Sequence, residues 1–329
     1  SYSIEQILEP KERKACSFER IYFSRGNDEE IYRERKALGF NLSEQVLKAI
    51  DFDLRNTIFS YIPNTSEVAF LGLQKGMQMY LNKIKVERIL SWGKDYDEEK
   101  LTEMINRRIR MGKITIKDVK MRTFITEDSS RNEMVQHVYD VTYGTVRPGV
   151  DTLVVIDDSI VRGTTLQQSI IKMLARLQPK KIIILSSAPQ IRYPDCYGID
   201  MSRLGEFVAF NAAVEALKDK GKENLLNELY QKCMELKEQN LLHSENVVKH
   251  LYKGSTIIEL SNKIAELVTP PDVKIPVEVI FQSIEDLHKS CPNNLGDWYF
   301  TGNYPTPGGN RVVNQAFMNY MEGKKSRAY

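Results

Sequence analysis

The chain has 329 residues and a mass of 38.0 kDa, with 42% hydrophobic and 27% charged residues, enough for one large α/β domain or for one domain plus an appendage. Its 46 basic and 44 acidic residues leave a net charge of +2, which gives no basis for nucleic acid or a membrane surface as the main partner. No apolar run is long enough to span a bilayer, the start Ser1-Tyr2-Ser3-Ile4-Glu5 is not a signal peptide, and Cys16, Cys196, Cys233 and Cys291 form no C-x-x-C pair, so they read as reduced thiols of a cytoplasmic protein.

In chain order, residues 57–62 form a short β-rich run ended by Pro63. Residues 67–81 carry Val68, Leu71, Leu73 and Met77 among polar residues and predict a helix on a sheet, with Gly72 and Gly76 counting against it. Val86–Leu90 is expected as the next strand, 95–111 as a charged helix and 121–125 as a further strand. The run Arg107-Arg108-Ile109-Arg110 reads as a solvated helix face. Residues 151–156 are an apolar run bounded by charge, as in a strand buried on both faces of a parallel sheet.

Leu166, Ile170, Leu174 and Leu177 then recur at helical spacing, and 181–186 is a second buried strand. Strand, helix, strand in that order predicts a βαβ unit and an open, mainly parallel sheet flanked by helices. From about Leu204 the pattern becomes helical, clearest at 256–267 and ended by Pro270-Pro271. The expected division is a segment at 1–30, an α/β core at 31–215 and a helical C-terminal extension and tail at 216–329. His137, His243, His250 and His288 show no metal-ligand spacing, and Trp92 and Trp298 are read as packing residues.

The chemistry concentrates in Asp157-Asp158-Ser159-Ile160-Val161-Arg162-Gly163-Thr164-Thr165, which leaves the carboxyl end of a buried strand and enters a helix. Ligands bind at that place in open α/β sheets. The following helix offers free N–H groups and its positive end, Gly163 allows close backbone approach, and three hydroxyls add donors, which suits a phosphate monoester. No G-x-x-x-x-G-K-[ST] is present, so this is not a nucleoside-triphosphate loop. Two adjacent carboxylates repel unless a cation or hydroxyl donors offset them, as a sugar diol with magnesium nearby would. For the pair alone, a strand-end turn with Asp158 as a helix N-cap is the plainer alternative.

Val154–Thr165 resembles the 5-phosphoribosyl-1-pyrophosphate (PRPP) motif of type I phosphoribosyltransferases, and more closely that of the glutamine PRPP amidotransferases. Other segments resemble that family in the same order. They are Cys16–Arg25 with its interdomain segment, Ile62-Pro63-Asn64-Thr65-Ser66 with its pyrophosphate loop, Ser187–Pro194 and Tyr197–Met201 with its next strand and loop, and Phe300–Pro305 with its tail. The resemblance implies a type I phosphoribosyltransferase fold with a C-terminal helical extension. The implied reaction joins PRPP and ammonia to give 5-phosphoribosylamine and pyrophosphate, in the first step of purine synthesis.

The implied PRPP contacts are Ser159, Ile160, Val161, Arg162, Gly163, Thr164 and Thr165 for the 5-phosphate and Asn64, Thr65 and Ser66 for pyrophosphate. Asp157 and Asp158 would meet the ribose hydroxyls, and with Thr65 they are the expected Mg2+ contacts. Lys120 and Arg122 would close over the site from a mobile loop, or else be an exposed basic strand end. Glu67 is awkward beside pyrophosphate unless it points away or binds the metal.

This chain starts just before the interdomain segment, so either it is a fragment of a full-length protein that carries the family's glutaminase domain or its ammonia comes from elsewhere. The loop at Lys117–Ile125 keeps only its last four residues in common with the family's, and no iron–sulfur cluster is expected because the family's C-x-x-C is replaced by Gly296-Asp297-Trp298-Tyr299. Purine nucleotides as inhibitors and a homo-oligomer follow from the resemblance alone. The alternatives are a catalytically weak PRPP- or nucleotide-binding regulatory module and a base-salvage phosphoribosyltransferase.

Overall fold

Strands β5 (Thr152–Asp157) and β6 (Lys181–Ser186) set the centre of the molecule. Their apolar residues divide by parity between two layers. Leu153, Val155, Ile182 and Ile184 face one hydrophobic cluster, while Val154, Ile156, Ile183 and Leu185 face another. A strand buried on both sides has no polar face to show, hence its unbroken apolar run. Each such side chain stabilises the fold by about 1.5–3 kcal/mol relative to exposure. In this computed structural model the described residues are 3–9, 12–93, 97–117, 139–196 and 201–328.

The sheet also contains β1 (Thr57–Tyr61), β2 (Arg110–Met111) and β7 (Val277–Phe281), in the order β2-β1-β5-β6-β7 with every pair parallel. A separate antiparallel pair joins β3 (Thr115–Lys117) to β4 (Tyr139–Val141). On one face lie α1 (Glu29–Asn41), α2 (Ser43–Ala49) and α3 (Glu67–Trp92), which supply Leu42, Val46, Leu73, Met77 and Leu81 to the core. The other face is covered by the turns that follow β5 and by helices Val208–Asp219 and Ile257–Val268. A third cluster ties Phe18 and Ile21 of the N-terminal segment to Tyr299, Phe300, Val313 and Phe317. No described helix is long and apolar enough to cross a membrane.

Four readings of the sequence change. Val86–Leu90 is not a strand: α3 runs through it to Trp92, with Val86 and Leu90 on its solvent side at 57% and 75% exposure. The helix expected over 95–111 is α4 (Glu98–Asn106) only, and Arg110-Met111 instead pairs with Ile58-Phe59 as β2. Arg110 is therefore not on a solvated helix face. It binds the fully buried Asp151 at 2.8 Å, where Arg147 also donates at 2.9 Å, pinning the sheet edge to the start of β5. The stretch read as helical after Leu204 also contains one strand, β7, which forms the far edge of the main sheet. The strand expected at 121–125 lies outside the described residues.

The two glycines that counted against α3 are what let it pack. A Cβ on Gly72 would fall 1.8 Å from the Lys36 carbonyl oxygen and one on Gly76 would fall 1.8 Å from the Ser43 hydroxyl oxygen, while from the α1 side one on Gly39 would fall 1.7 Å from the Ala69 carbonyl oxygen. Helices α1 and α3 thus cross backbone against backbone, which only residues without side chains permit.

Candidate functional site

Two loops meet at the carboxyl ends of neighbouring parallel strands. After β1, the Ile62 N–H donates to the Ile156 carbonyl at 2.9 Å, and the chain turns through Pro63 and Asn64, joined by a cis peptide bond, into α3. After β5, residues 157–165 turn into a helix that begins at Thr164. Parallel pairing of β1 with β5 therefore brings Asn64, Thr65 and Ser66 beside Asp157 and Asp158.

The aspartates are anchored through their backbones. The Asp157 carbonyl accepts from the Ser187 N–H at 3.0 Å, and the Asp158 carbonyl accepts from the Ala188 N–H and the Ser187 hydroxyl, each at 3.0 Å. Both residues are half-buried. Asp157 accepts from the Asp158 N–H at 2.8 Å; Asp158 accepts from the Ser159 hydroxyl at 3.0 Å and stands within hydrogen-bonding reach of the Thr65 side chain. Burial pushes both pKa values up, and the neighbouring Asp158 charge pushes Asp157 up further. Ser159, Thr65 and the positive charge of Arg35 work against the rise at Asp158. The pair is thus held half-desolvated, at a cost that a cation or hydroxyl donors would relieve.

The rest of the loop divides by role. Ile160 is buried and Val161 partly so; the Val161 carbonyl accepts from the Val208 N–H at 2.9 Å, so these two residues anchor the turn. The Arg162 guanidinium is drawn to Glu206 at 2.9 Å. Gly163 has φ +71°, and a Cβ there would meet Val268 at 2.8 Å, so glycine is required by the turn and by packing from below. Thr164 and Thr165 are exposed at a helix start whose first N–H groups lack intrahelical acceptors. In the other loop Asn64 is exposed and Thr65 partly so, while Ser66 is buried with its hydroxyl on the Ile62 carbonyl. Glu67 is turned back by Tyr61, whose hydroxyl donates to its carboxylate at 3.1 Å. Lys120 and Arg122 lie outside the described residues.

Arg35 is the residue that sequence reasoning missed. It is 6% exposed, and it donates to the carbonyls of Arg20 at 3.0 Å and Ser24 at 2.7 Å, bracing the N-terminal segment while its charge acts on Asp158. Its signal was present: Arg35 lies on the same stripe of α1 as the buried Ile31 and Leu38.

Two metal groups are tested by the donors present. Among the described residues no three His, Cys, Asp or Glu side chains are grouped so as to hold a metal. The Asp157-Asp158 pair with Thr65 nonetheless fits Mg2+, which takes one or two carboxylates and completes its shell from substrate oxygens and water. For an iron–sulfur cluster the described residues bring no ligand set together: Cys16 and Cys196 are half-buried, Cys233 and Cys291 are buried, and no three such groups converge.

This sheet, with its loops at the carboxyl ends of β1 and β5, is the type I phosphoribosyltransferase fold. Glutamine PRPP amidotransferase from B. subtilis, solved with ADP and GMP, superposes with a TM-score of 0.55 at 22% identity, covering 92% of this chain and 49% of that one. In sequence the chain is similar to amidophosphoribosyltransferases over part of its length. That of Escherichia coli K12 is 30% identical over 209 residues, 62% of this chain and 35% of the relative. That of Haemophilus influenzae is 28% identical over 222 residues, 65% of this chain and 37% of the relative. The chain therefore spans little more than a third of the length of these relatives. No family model matches it.

Proposed function

We propose that this chain binds PRPP with Mg2+ and joins its phosphoribosyl group to ammonia, releasing pyrophosphate, as the phosphoribosyltransferase part of an amidophosphoribosyltransferase of purine synthesis. The observation that carries this reading is the meeting of the Asn64–Ser66 loop with the Asp157–Thr165 loop, linked through Thr65 and Asp158. The relatives named above support it.

In this reading the N–H groups from Ser159 to Thr165 and the hydroxyls of Ser159, Thr164 and Thr165 hold the 5-phosphate. Arg162 serves through its backbone, because its side chain is held by Glu206. Asp157 and Asp158 accept from the ribose 2- and 3-hydroxyls, and the Asn64–Ser66 loop holds pyrophosphate by its backbone, with Glu67 drawn away by Tyr61. Thr65, Asp157 and Asp158 would hold Mg2+, which when bound would supply charge neutralisation of the leaving group.

The bond from the anomeric carbon to pyrophosphate oxygen breaks with its electron pair leaving on pyrophosphate. The ammonia lone pair forms the new C–N bond, and the surplus ammonium proton passes to water. No covalent nucleophile is needed. The protein positions the substrate, stabilises the separating charge and excludes water, with Lys120 and Arg122 as the cations of a closing loop. Glutamine-derived ammonia from a glutaminase domain in the full-length protein, inhibition by purine nucleotides, homo-oligomeric assembly and a cytoplasmic setting complete the proposal.

The test is release of pyrophosphate from PRPP by the folded protein with Mg2+ and saturating ammonia. Ammonia-dependent turnover is expected. PRPP binding without turnover would select the regulatory-module alternative, and consumption of PRPP only with a free base would select a salvage transferase.

A further inference from the structure

Hydrogen bonds at both ends of α1 and α2 fix the height of Arg35 above the sheet. The Leu38 carbonyl accepts from the Gln282 side-chain amide at 2.8 Å, and the Gln282 N–H donates to the Ser186 carbonyl at 3.1 Å, so Leu38 is level with the carboxyl ends of β6 and β7. At the other end the Lys181 ammonium, at the start of β6, donates to the Ala49 carbonyl at 3.3 Å. The chain from α1 through α2 therefore runs from the carboxyl to the amino ends of the strands. Arg35 lies on the stripe of Leu38 but nearly one turn earlier, ~4.5 Å further out along the helix. That is the level of Ser187, one residue beyond Ser186, whose N–H and hydroxyl hold the carbonyls of Asp157 and Asp158.

The second observation is how Arg35 is partnered. It is buried, yet its Nε and Nη2 donate to neutral acceptors, the carbonyls of Arg20 and Ser24, and its Nη1 has no acceptor among the described residues. Glu34, the acid next to it in sequence, is turned to Arg20. An enclosed guanidinium is ordinarily paired directly with an acid. Here burial pulls its pKa down, and the charge of Asp158 is the first of those that oppose the fall. The two carbonyls hold the cation in place without neutralising it.

We propose that Arg35 is a positioning residue of the site, a fixed counter-charge to the aspartate pair that keeps a divalent cation from settling there alone and favours its arrival with the polyanionic PRPP. This rests on the reading of the aspartate pair given above. The content of the proposal is one of sign. A cation built in beside the carboxylates repels a metal ion that comes by itself, and it offsets the repulsion between those carboxylates and the phosphates of PRPP. Loss of a residue that only braced the N-terminal segment would weaken both kinds of binding.

The experiment measures binding of Mn2+ alone by electron paramagnetic resonance, and of PRPP at saturating Mg2+ by calorimetry. It uses the full chain, Arg35→Gln and Arg35→Lys, each checked for fold by circular dichroism. Arg35→Gln should bind Mn2+ roughly three- to tenfold more tightly and PRPP more weakly by a similar factor. Arg35→Lys keeps the charge and should stay within about twofold of wild type in both. Unchanged or weaker Mn2+ binding by Arg35→Gln, or unchanged PRPP affinity beside a wild type that binds PRPP, overturns the proposal. Should Arg35→Gln not fold, Arg35→Lys decides: wild-type values support the charge role, and loss of both affinities despite the retained charge overturns it. The expected Mn2+ shift in a protein that binds no PRPP would sink the PRPP reading and leave the role of Arg35 standing.

Discussion

Tyr61 and Glu67 are locked together across the turn that joins β1 to α3, with the phenol hydroxyl donating to the carboxylate at 3.1 Å. This pair keeps a negative charge away from the place assigned to pyrophosphate. Tyr61→Phe should release Glu67 and raise the Kd for Mg2+-PRPP roughly three- to tenfold, the effect of ~1 kcal/mol of like-charge repulsion. Tyr61→Phe with Glu67→Gln should restore affinity. Titration calorimetry of the single and double variants checks this, and an unrestored double variant counts against it.

The aspartate pair sets function against stability. A carboxyl whose folded pKa is raised leaves the fold fully stable below the unfolded carboxylate pKa. As pH rises through the folded value, a desolvated acid must ionise and stability falls. Asp157→Asn removes that cost. At pH 7.5 without Mg2+ or PRPP, it should raise the melting temperature by about 2 °C while weakening PRPP binding. Scanning calorimetry from pH 4 to 8 should show the gap between variant and wild type widening toward neutral pH. A variant less stable than wild type at pH 7.5 would contradict the desolvation argument.

Asp151 has the opposite sign. Arg110 and Arg147, with the Arg147 N–H, hold its carboxyl well below the usual range despite its burial. Its contribution is complete above the unfolded pKa and is lost as pH falls through the depressed folded value. Asp151→Asn should cost about 3 kcal/mol at pH 7, the lower end for a broken buried pair because both guanidinium groups reach solvent. Urea unfolding at pH 7 and at acid pH would show that difference shrinking on acidification.

Gly72→Ala should destabilise by about 3 kcal/mol through overpacking between α1 and α3, although alanine is the better helix former. A neutral or stabilising outcome in chemical denaturation would mean that the helices can separate without cost.

The centre of the fold was legible because β5 and β6 are buried on both faces, so burial and sequence pattern coincide. The loop after β5 was legible because its paired carboxylates, hydroxyls and glycine lie in one contiguous string. Val86–Leu90 misled because β-branched and long apolar residues also occur on solvent-facing helix turns, and nothing local marks that α3 continues to Gly93. Strand β7 was hidden because it is an edge strand carrying Glu278, paired with Lys181 on its neighbour. The effect of Arg35 on Asp158 was out of reach for another reason: it joins residues far apart in the chain, which only the packing of α1 against the sheet brings near.

The most direct test of the central claim is calorimetric titration of PRPP with Mg2+ into the wild-type chain and into Asp157→Asn/Asp158→Asn, each shown to be folded. The account predicts one Mg2+-dependent site per chain in the wild type and its loss in the double variant. Absence of binding to the folded wild type, or equal affinity in both proteins, would contradict it.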